Sequence, residues 1–184
     1  MLKLEKLSSL RLFGQLENTF HVRLLPRNLT DLTLSASKLS VDPMPELQRM
    51  LKLKSLCFYA DSYTEEKMVC ASGGFQQLER LRFWNLKNLK ELDVIEGAMP
   101  KLQEFEVRSC KKLKVPTGLE HLKTIRIIKL RTMLIGFGKE TQSLVDEKMP
   151  LVIVECDEMI TNQGSQPSQK AGGIIGDGVA VLVN

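Results

Sequence analysis

Apolar residues along this chain fall into a recurring phrase, Leu-x-x-Leu-x-Leu or a near version of it, with polar residues filling the gaps. Six copies stand out: Leu7 to Leu12, Leu29 to Leu34, Leu53 to Phe58, Leu78 to Phe83, Leu102 to Val107 and Leu122 to Ile127. The last two apolar positions of each copy are two residues apart, the period of a strand with one buried face. The first apolar residue turns the chain into that strand. The pattern therefore predicts one short strand per copy, stacked on its neighbours into a parallel sheet.

The copies begin at intervals of 22, 24, 25, 24 and 20 residues, within the roughly 20 to 29 residues of leucine-rich repeats. A single unit cannot bury its leucines and must lean on the next, so stability becomes a sum of repeat and interface terms. The expected fold class is α/β: a short horseshoe-like solenoid with a parallel sheet on the concave face and irregular or short-helical returns on the convex side. Such arrays recognise other molecules through their concave surface. The ninth position of a repeat, where Asn or Cys bonds to adjacent backbone, holds Gln15, Ser37, Asp61, Leu86, Cys110 and Leu130. Only Cys110 suits that role.

The returns carry Pro26, Pro43, Pro45, Pro100 and Pro116, which fix φ and lack an N–H, so they suit the convex side and not a central strand. The return over residues 60–74 contains Ser62-Tyr-Thr-Glu-Glu and ends in Gly73-Gly74; it is expected to be a mobile loop with a short turn of helix. The repeats are assigned to residues 1–135 and a carboxy-terminal cap to 136–160, formed by a helical stretch from Lys139 to Met149 and a buried strand from Leu151 to Val154. From Thr161 the composition turns to Gln, Ser and Gly, too poor in apolar residues to offset chain entropy, so 161–184 is expected to be a disordered tail. The first repeat begins within a few residues of Met1 without a polar capping unit. The chain is expected to be a piece of a longer protein.

Composition changes this picture little. With 184 residues and 43% apolar content the chain can build one sizeable core. It has no run of about 18 apolar residues and no signal-peptide core, which predicts a cytoplasmic protein with no membrane span. Cys57, Cys70, Cys110 and Cys156 lie far apart without a Cys-x-x-Cys pair, so reduced thiols are expected. The net charge of +4 calls for no obligate polyanion.

Alternation along the strands also sorts out the exposed face. Its middle row is read as Arg11, Thr33, Cys57, Arg82, Glu106 and Arg126, flanked by Phe13, Ser35, Tyr59, Trp84, Arg108 and Ile128 and, on the other side, by Ser9, Asp31, Ser55, Arg80, Glu104 and Thr124. Trp, Tyr and Arg are enriched in interface hot spots. Arg11, Tyr59, Arg80, Arg82, Trp84, Arg108 and Arg126 are therefore the expected protein contacts. The plainer reading is a solvated face in which Arg82 and Arg108 pair with Glu104 and Glu106 while Trp84 packs on the next strand.

Other chemistries find less support. A nucleic-acid surface would use the same arginines, but Asp31, Glu104 and Glu106 interleave with them. The two histidines, His21 and His121, are far apart and suggest no catalytic pair. No zinc spacing is present. Gly138-Lys139 lacks the rest of a phosphate loop, with Met133 in place of the first glycine and Glu140 in place of Ser or Thr; Gly173-Ile-Ile-Gly176-Asp-Gly178 has no strand before it. No enzyme activity, metal or cofactor is expected.

Several segments go beyond a generic repeat: Leu25-Pro-Arg-Asn-Leu-Thr-Asp-Leu-Thr-Leu-Ser35, Asp42-Pro-Met-Pro-Glu-Leu47, Met68-Val-Cys70 with Gly73-Gly-Phe75, Glu96-Gly-Ala-Met-Pro-Lys-Leu102 and Cys110-Lys-Lys-Leu-Lys-Val-Pro-Thr-Gly-Leu119. In that order and spacing, over about residues 4–150, the chain resembles the leucine-rich-repeat region of plant coiled-coil nucleotide-binding disease-resistance proteins. The resemblance implies recognition of a pathogen effector or guarded host protein, or autoinhibition of a nucleotide-binding domain, within plant innate immunity. The nucleotide-binding switch itself has no counterpart in this sequence. Rival readings are a generic intracellular scaffold, a ubiquitin-ligase substrate adaptor, or a truncated product without activity of its own.

Overall fold

The computed structural model describes residues 6–16, 24–133, 141, 152–153 and 180–183. Five-residue strands mark the repeats: β1 (Ser9–Phe13), β2 (Asp31–Ser35) and β3 (Ser55–Tyr59). After a short β4 (Lys67–Cys70) come β5 (Arg80–Trp84), β6 (Glu91–Val94), β7 (Glu104–Arg108) and β8 (Ile127–Arg131). All neighbouring strands pair in parallel, in the order β1-β2-β3-β5-β7-β8. The chain is a leucine-rich-repeat solenoid, as its periodicity predicts.

Register follows the apolar phrase. Leu10, Leu32, Leu56, Leu81, Phe105 and Ile128 form one row across the sheet, and Leu12, Leu34, Phe58, Phe83, Val107 and Leu130 form the next. Apart from half-buried Leu12, all lie in the core. Within it Phe58, Phe83 and Phe105 contact in series, with ring centroids 5.6 and 6.0 Å apart. A one-residue slip would expose both rows, so burial holds the register.

The sixth repeat corrects the sequence reading. Its strand starts at Ile127, and the anchoring residue is Ile125, not Leu122. The backbone shows the equivalence: Arg126 and Ile127 donate to the carbonyl of Gln103, as Gln103 and Glu104 donate to Glu79, and Glu79 and Arg80 to Lys54. Arg126 thus occupies the exposed turn before the strand and is absent from the face. Ile128, expected to project, is buried, while Ile127 points outward and is half-buried. With Ile125 as anchor the last interval becomes 23 residues instead of 20.

In the main sheet, β2, β3, β5, β7 and β8 are each followed by a left-handed residue at the eighth position of the repeat. Ala36, Ala60, Asn85, Ser109 and Thr132 have φ between 49° and 56°, a region disfavoured for residues with a Cβ. The first four donate their N–H to the last strand carbonyl of the next repeat, at Tyr59, Trp84, Arg108 and Arg131. The sheet ladder thereby fixes a conformation the residues would not choose. One position later, the Leu86 N–H donates to Cys110 Sγ, and the Cys110 thiol donates to the Phe83 carbonyl. This is the bridging role the sequence assigns to Cys110.

The convex side is more ordered than expected. The predicted mobile loop over 60–74 contains β4, which pairs in parallel with β6 to make a second, two-stranded sheet. Met68 and Cys70 alternate inward, and the Tyr63 hydroxyl donates to the Lys67 carbonyl at 2.6 Å. A one-turn helix, α1 (Met44–Leu47), starts in the Pro43-Met-Pro45 segment, where proline's preset φ and missing N–H fit a helix start. Asp42 ties the two together, accepting the N–H of Met44 at 2.9 Å and of Val69 at 3.0 Å.

Burial raises the Asp42 carboxyl above its ordinary value, against the opposing effect of those two amides. Asp42→Ala leaves the Val69 amide without its acceptor and is expected to destabilise the fold by about 1–2 kcal/mol in urea titration. Because the folded value is raised, the stabilising contribution is largest at low pH and declines as pH rises through it. The difference between wild type and variant should shrink accordingly from acid to neutral pH.

The expected helical cap over 139–149 lies outside the described residues except for Thr141. The strand expected over Leu151 to Val154 is present as β9 (Val152–Ile153), paired with β8. Of the expected tail, only Ala180–Val183 is described; it forms β10, in parallel register with β1.

Candidate protein-binding face

Because alternate residues of each strand enter the core, the others must stand on the opposite face of the sheet. Its middle row is Arg11, Thr33, Cys57, Arg82, Glu106 and Lys129; one flank is Phe13, Ser35, Tyr59, Trp84, Arg108 and Arg131. The other flank is Ser9, Asp31, Ser55, Arg80, Glu104 and Ile127. Six of the seven predicted contacts therefore share this face. Lys129 and Arg131 were missed because the register of the sixth repeat was read three residues early.

Ion pairs divide the cations into two kinds. Arg82 bonds Glu104 at 3.0 Å and lies 3.4 Å from Glu106; Lys129 meets Glu104 at 3.2 Å, and Arg131 lies 3.9 Å from Glu106. Burial would raise the Glu104 carboxyl, but hydrogen bonds from Arg82 and Lys129 outweigh it and hold the group below its ordinary value. Its contribution to stability is therefore present above the usual carboxylate range and lost as pH falls through the lowered value. Glu106 is only 6% exposed. Arg82 thus has the structural partners that the plainer reading gave it.

Arg80 is held 3.7 Å from Asp31. Arg108, for which the same reading proposed a glutamate partner, has none among the described residues. Arg108 and Arg11 are exposed and have no carboxylate partner among the described residues. Six cations face three carboxylates across these rows, so the face is net positive.

The aromatic residues Tyr59 and Trp84 sit on β3 and β5, between the strands that carry Arg11 and Arg108. Trp84 meets Tyr59 edge to face, with ring centroids 6.0 Å apart, and Tyr59 is 43% exposed. The Trp84 Nε1 donor is buried and has no hydrogen-bond partner among the described residues. A cavity of about 310 Å³ opens beside them across β1, β2, β3 and β5, with Arg11, Phe13, Thr33, Cys57, Tyr59 and Trp84 among its lining residues.

The thiols offer no chemistry here. Burial pushes Cys57 up to about 11 despite the nearby Arg82 guanidinium, and pushes Cys70 up to about 12 and Cys110 up to about 11. Thiolate is the reactive form, so these groups are inert at neutral pH. Among the described residues no cluster of His, Cys, Asp and Glu could hold a metal ion, and no helix is long and apolar enough to cross a membrane.

Comparison with known proteins gives this scaffold its relatives. RF45 of Arabidopsis thaliana, named as a probable disease resistance protein, is 43% identical over 171 aligned positions covering 77% of this chain. The disease susceptibility protein LOV1 of the same plant is 34% identical over 137 positions and 71% of the chain. The chain is homologous to a segment of plant disease-resistance proteins. A disease resistance RPP8-like protein of Arabidopsis adds 37% identity over 109 positions. The chain spans between 12% and 17% of the length of these relatives. No family model matches it.

Proposed function

We propose that this segment recognises a protein partner through the sheet face described above, in plant innate immunity. The supporting observation is the aromatic pair Tyr59–Trp84 beside an open cavity on a net positive face, a composition typical of binding hot spots. The partner is a pathogen effector, a guarded host protein, or the nucleotide-binding domain of a disease-resistance protein that the segment restrains. The site of action is the cytoplasm, and no catalytic step is involved.

The test is co-purification of the 184-residue chain with the nucleotide-binding domain of such a protein, and separately with candidate effectors, from plant cells. Tyr59→Ala combined with Trp84→Ala is expected to reduce capture at least about tenfold, because two hot-spot truncations of about 1 kcal/mol or more each remove that much affinity. Lys111→Ala, exposed and outside the sheet, should bind normally. Equal capture by the folded double variant would exclude the face.

A further inference from the structure

We propose that the cavity beside Tyr59 and Trp84 receives an acidic, apolar segment of the partner, with a carboxylate on Arg11 and an adjoining apolar side chain against the aromatic pair. The inference rests on the binding face proposed above and specifies what that face reads. The cavity is chemically divided. Phe13, Tyr59 and Trp84 supply its aromatic part, and Arg11 and Arg82 supply its positive charge.

Those two arginines are not equivalent. Arg82 is already engaged by Glu104 and Glu106, and Asp31, the only carboxylate lining the cavity among the described residues, is engaged by Arg80. Arg11 remains exposed, with no partner among the described residues. An incoming carboxylate therefore finds one uncommitted cation, and an incoming cation finds no uncommitted anion. This asymmetry sets the sign of the ligand.

Size and shape restrict it further. A cavity of about 310 Å³ holds a side chain or two, not a folded element. Tyr59, 43% exposed, offers an apolar edge that gains by being covered. A nucleic-acid strand fits poorly: a phosphate backbone needs several free cations in line, whereas the next residues on the middle row are Thr33 and Cys57, and Asp31 stands alongside.

Trp84 is the only tryptophan of the chain, so its emission reports occupancy directly. The probes are capped tetrapeptides Gly-Glu-Leu-Gly, Gly-Gln-Leu-Gly, Gly-Lys-Leu-Gly and Gly-Glu-Ala-Gly, titrated at low salt with far-ultraviolet circular dichroism as the folding control. The Glu-Leu peptide should give a saturable change and bind about two- to fivefold tighter than the Gln-Leu peptide, the size of an exposed ion pair. Added salt should erase that advantage. Replacing Leu by Ala should weaken binding, Arg11→Gln should remove the charge preference, and Arg11→Glu should transfer it to the Lys-Leu peptide.

Equal binding of the Glu-Leu and Gln-Leu peptides, or an unchanged preference in both folded Arg11 variants, would overturn the proposal. So would the absence of a saturable change with every peptide. Those failures leave the binding face intact if Tyr59→Ala with Trp84→Ala still loses its protein partner. If the double variant keeps that partner, the face itself is wrong.

Discussion

Phe83→Ala should lower the unfolding free energy by about 3–5 kcal/mol, the usual range for removing a fully buried phenyl ring. Phe83 has no exposed surface and stands between Phe58 and Phe105, so its ring belongs to two inter-repeat interfaces. A solenoid is held by nearest-neighbour terms. Weakening two adjacent interfaces should therefore do more than lower the urea midpoint: the transition should broaden as the first three repeats uncouple from the last two. Phe83→Leu, which keeps most of the volume, should lose much less and retain a single sharp transition. A loss below about 1.5 kcal/mol for the alanine variant would mean that the ring series does not bind the repeats together.

Gly118→Ala is the second severe change, with an expected loss of about 3 kcal/mol. Gly118 has φ of 76°, and a Cβ there would lie 1.9 Å from the Val94 carbonyl oxygen. That neighbour is backbone, held in place because the Val94 N–H donates to the Thr117 carbonyl and the Thr117 N–H donates to Leu92. The left-handed conformation contributes about 1–2 kcal/mol of the loss, and displacement of the packed backbone contributes about 1–3 kcal/mol. Gly97 provides the control, with φ of 83°, the Ser72 Oγ side chain at 3.0 Å from its Cβ position and the nearest backbone atom, Gly73 N, at 3.9 Å. Gly97→Ala should lose the conformational part alone. Urea unfolding of the two variants side by side measures the difference, and equal losses would show that the approach to Val94 relaxes freely.

The strands with an unambiguous apolar phrase were legible in the sequence. Leu-Thr-Asp-Leu-Thr-Leu over 29–34 admits one register, and Leu32 and Leu34 are buried accordingly. The sixth repeat misled because Leu122-x-x-Ile125-x-Ile127 imitates the phrase while Ile127, Ile128 and Leu130 give two possible alternations. Only the equal spacing of the repeats, 23 residues from Leu102 to Ile125, carried the right answer. The β4–β6 sheet was hidden for a different reason: Lys67-Met-Val-Cys70 alternates but has Glu65 where a repeat would place its leucine, although its partner Glu91-Leu-Asp-Val94, 24 residues on, follows the buried Leu89. The outward face of the sheet followed from alternation once the strands were known. Its ion pairs did not, because Arg82 could have reached either flank, and only the folded spacing of Glu104 and Glu106 decides which carboxylates it takes.

The handover of hydrogen bonds from one repeat to the next is the same at each step, whether the repeat is 22 or 25 residues long. Differences in length are absorbed on the convex side, where α1, β4 and plain turns occupy equivalent places. A genetic exchange cut at matched points, such as Thr30 and Lys54, would add or remove one complete unit and leave the flanking carbonyls and amides matched. Each such exchange would insert or delete one column of three outward side chains while leaving the remaining columns in line. The architecture thus lets a lineage rewrite the outward face of its sheet in whole-column steps, with no need to redesign the core.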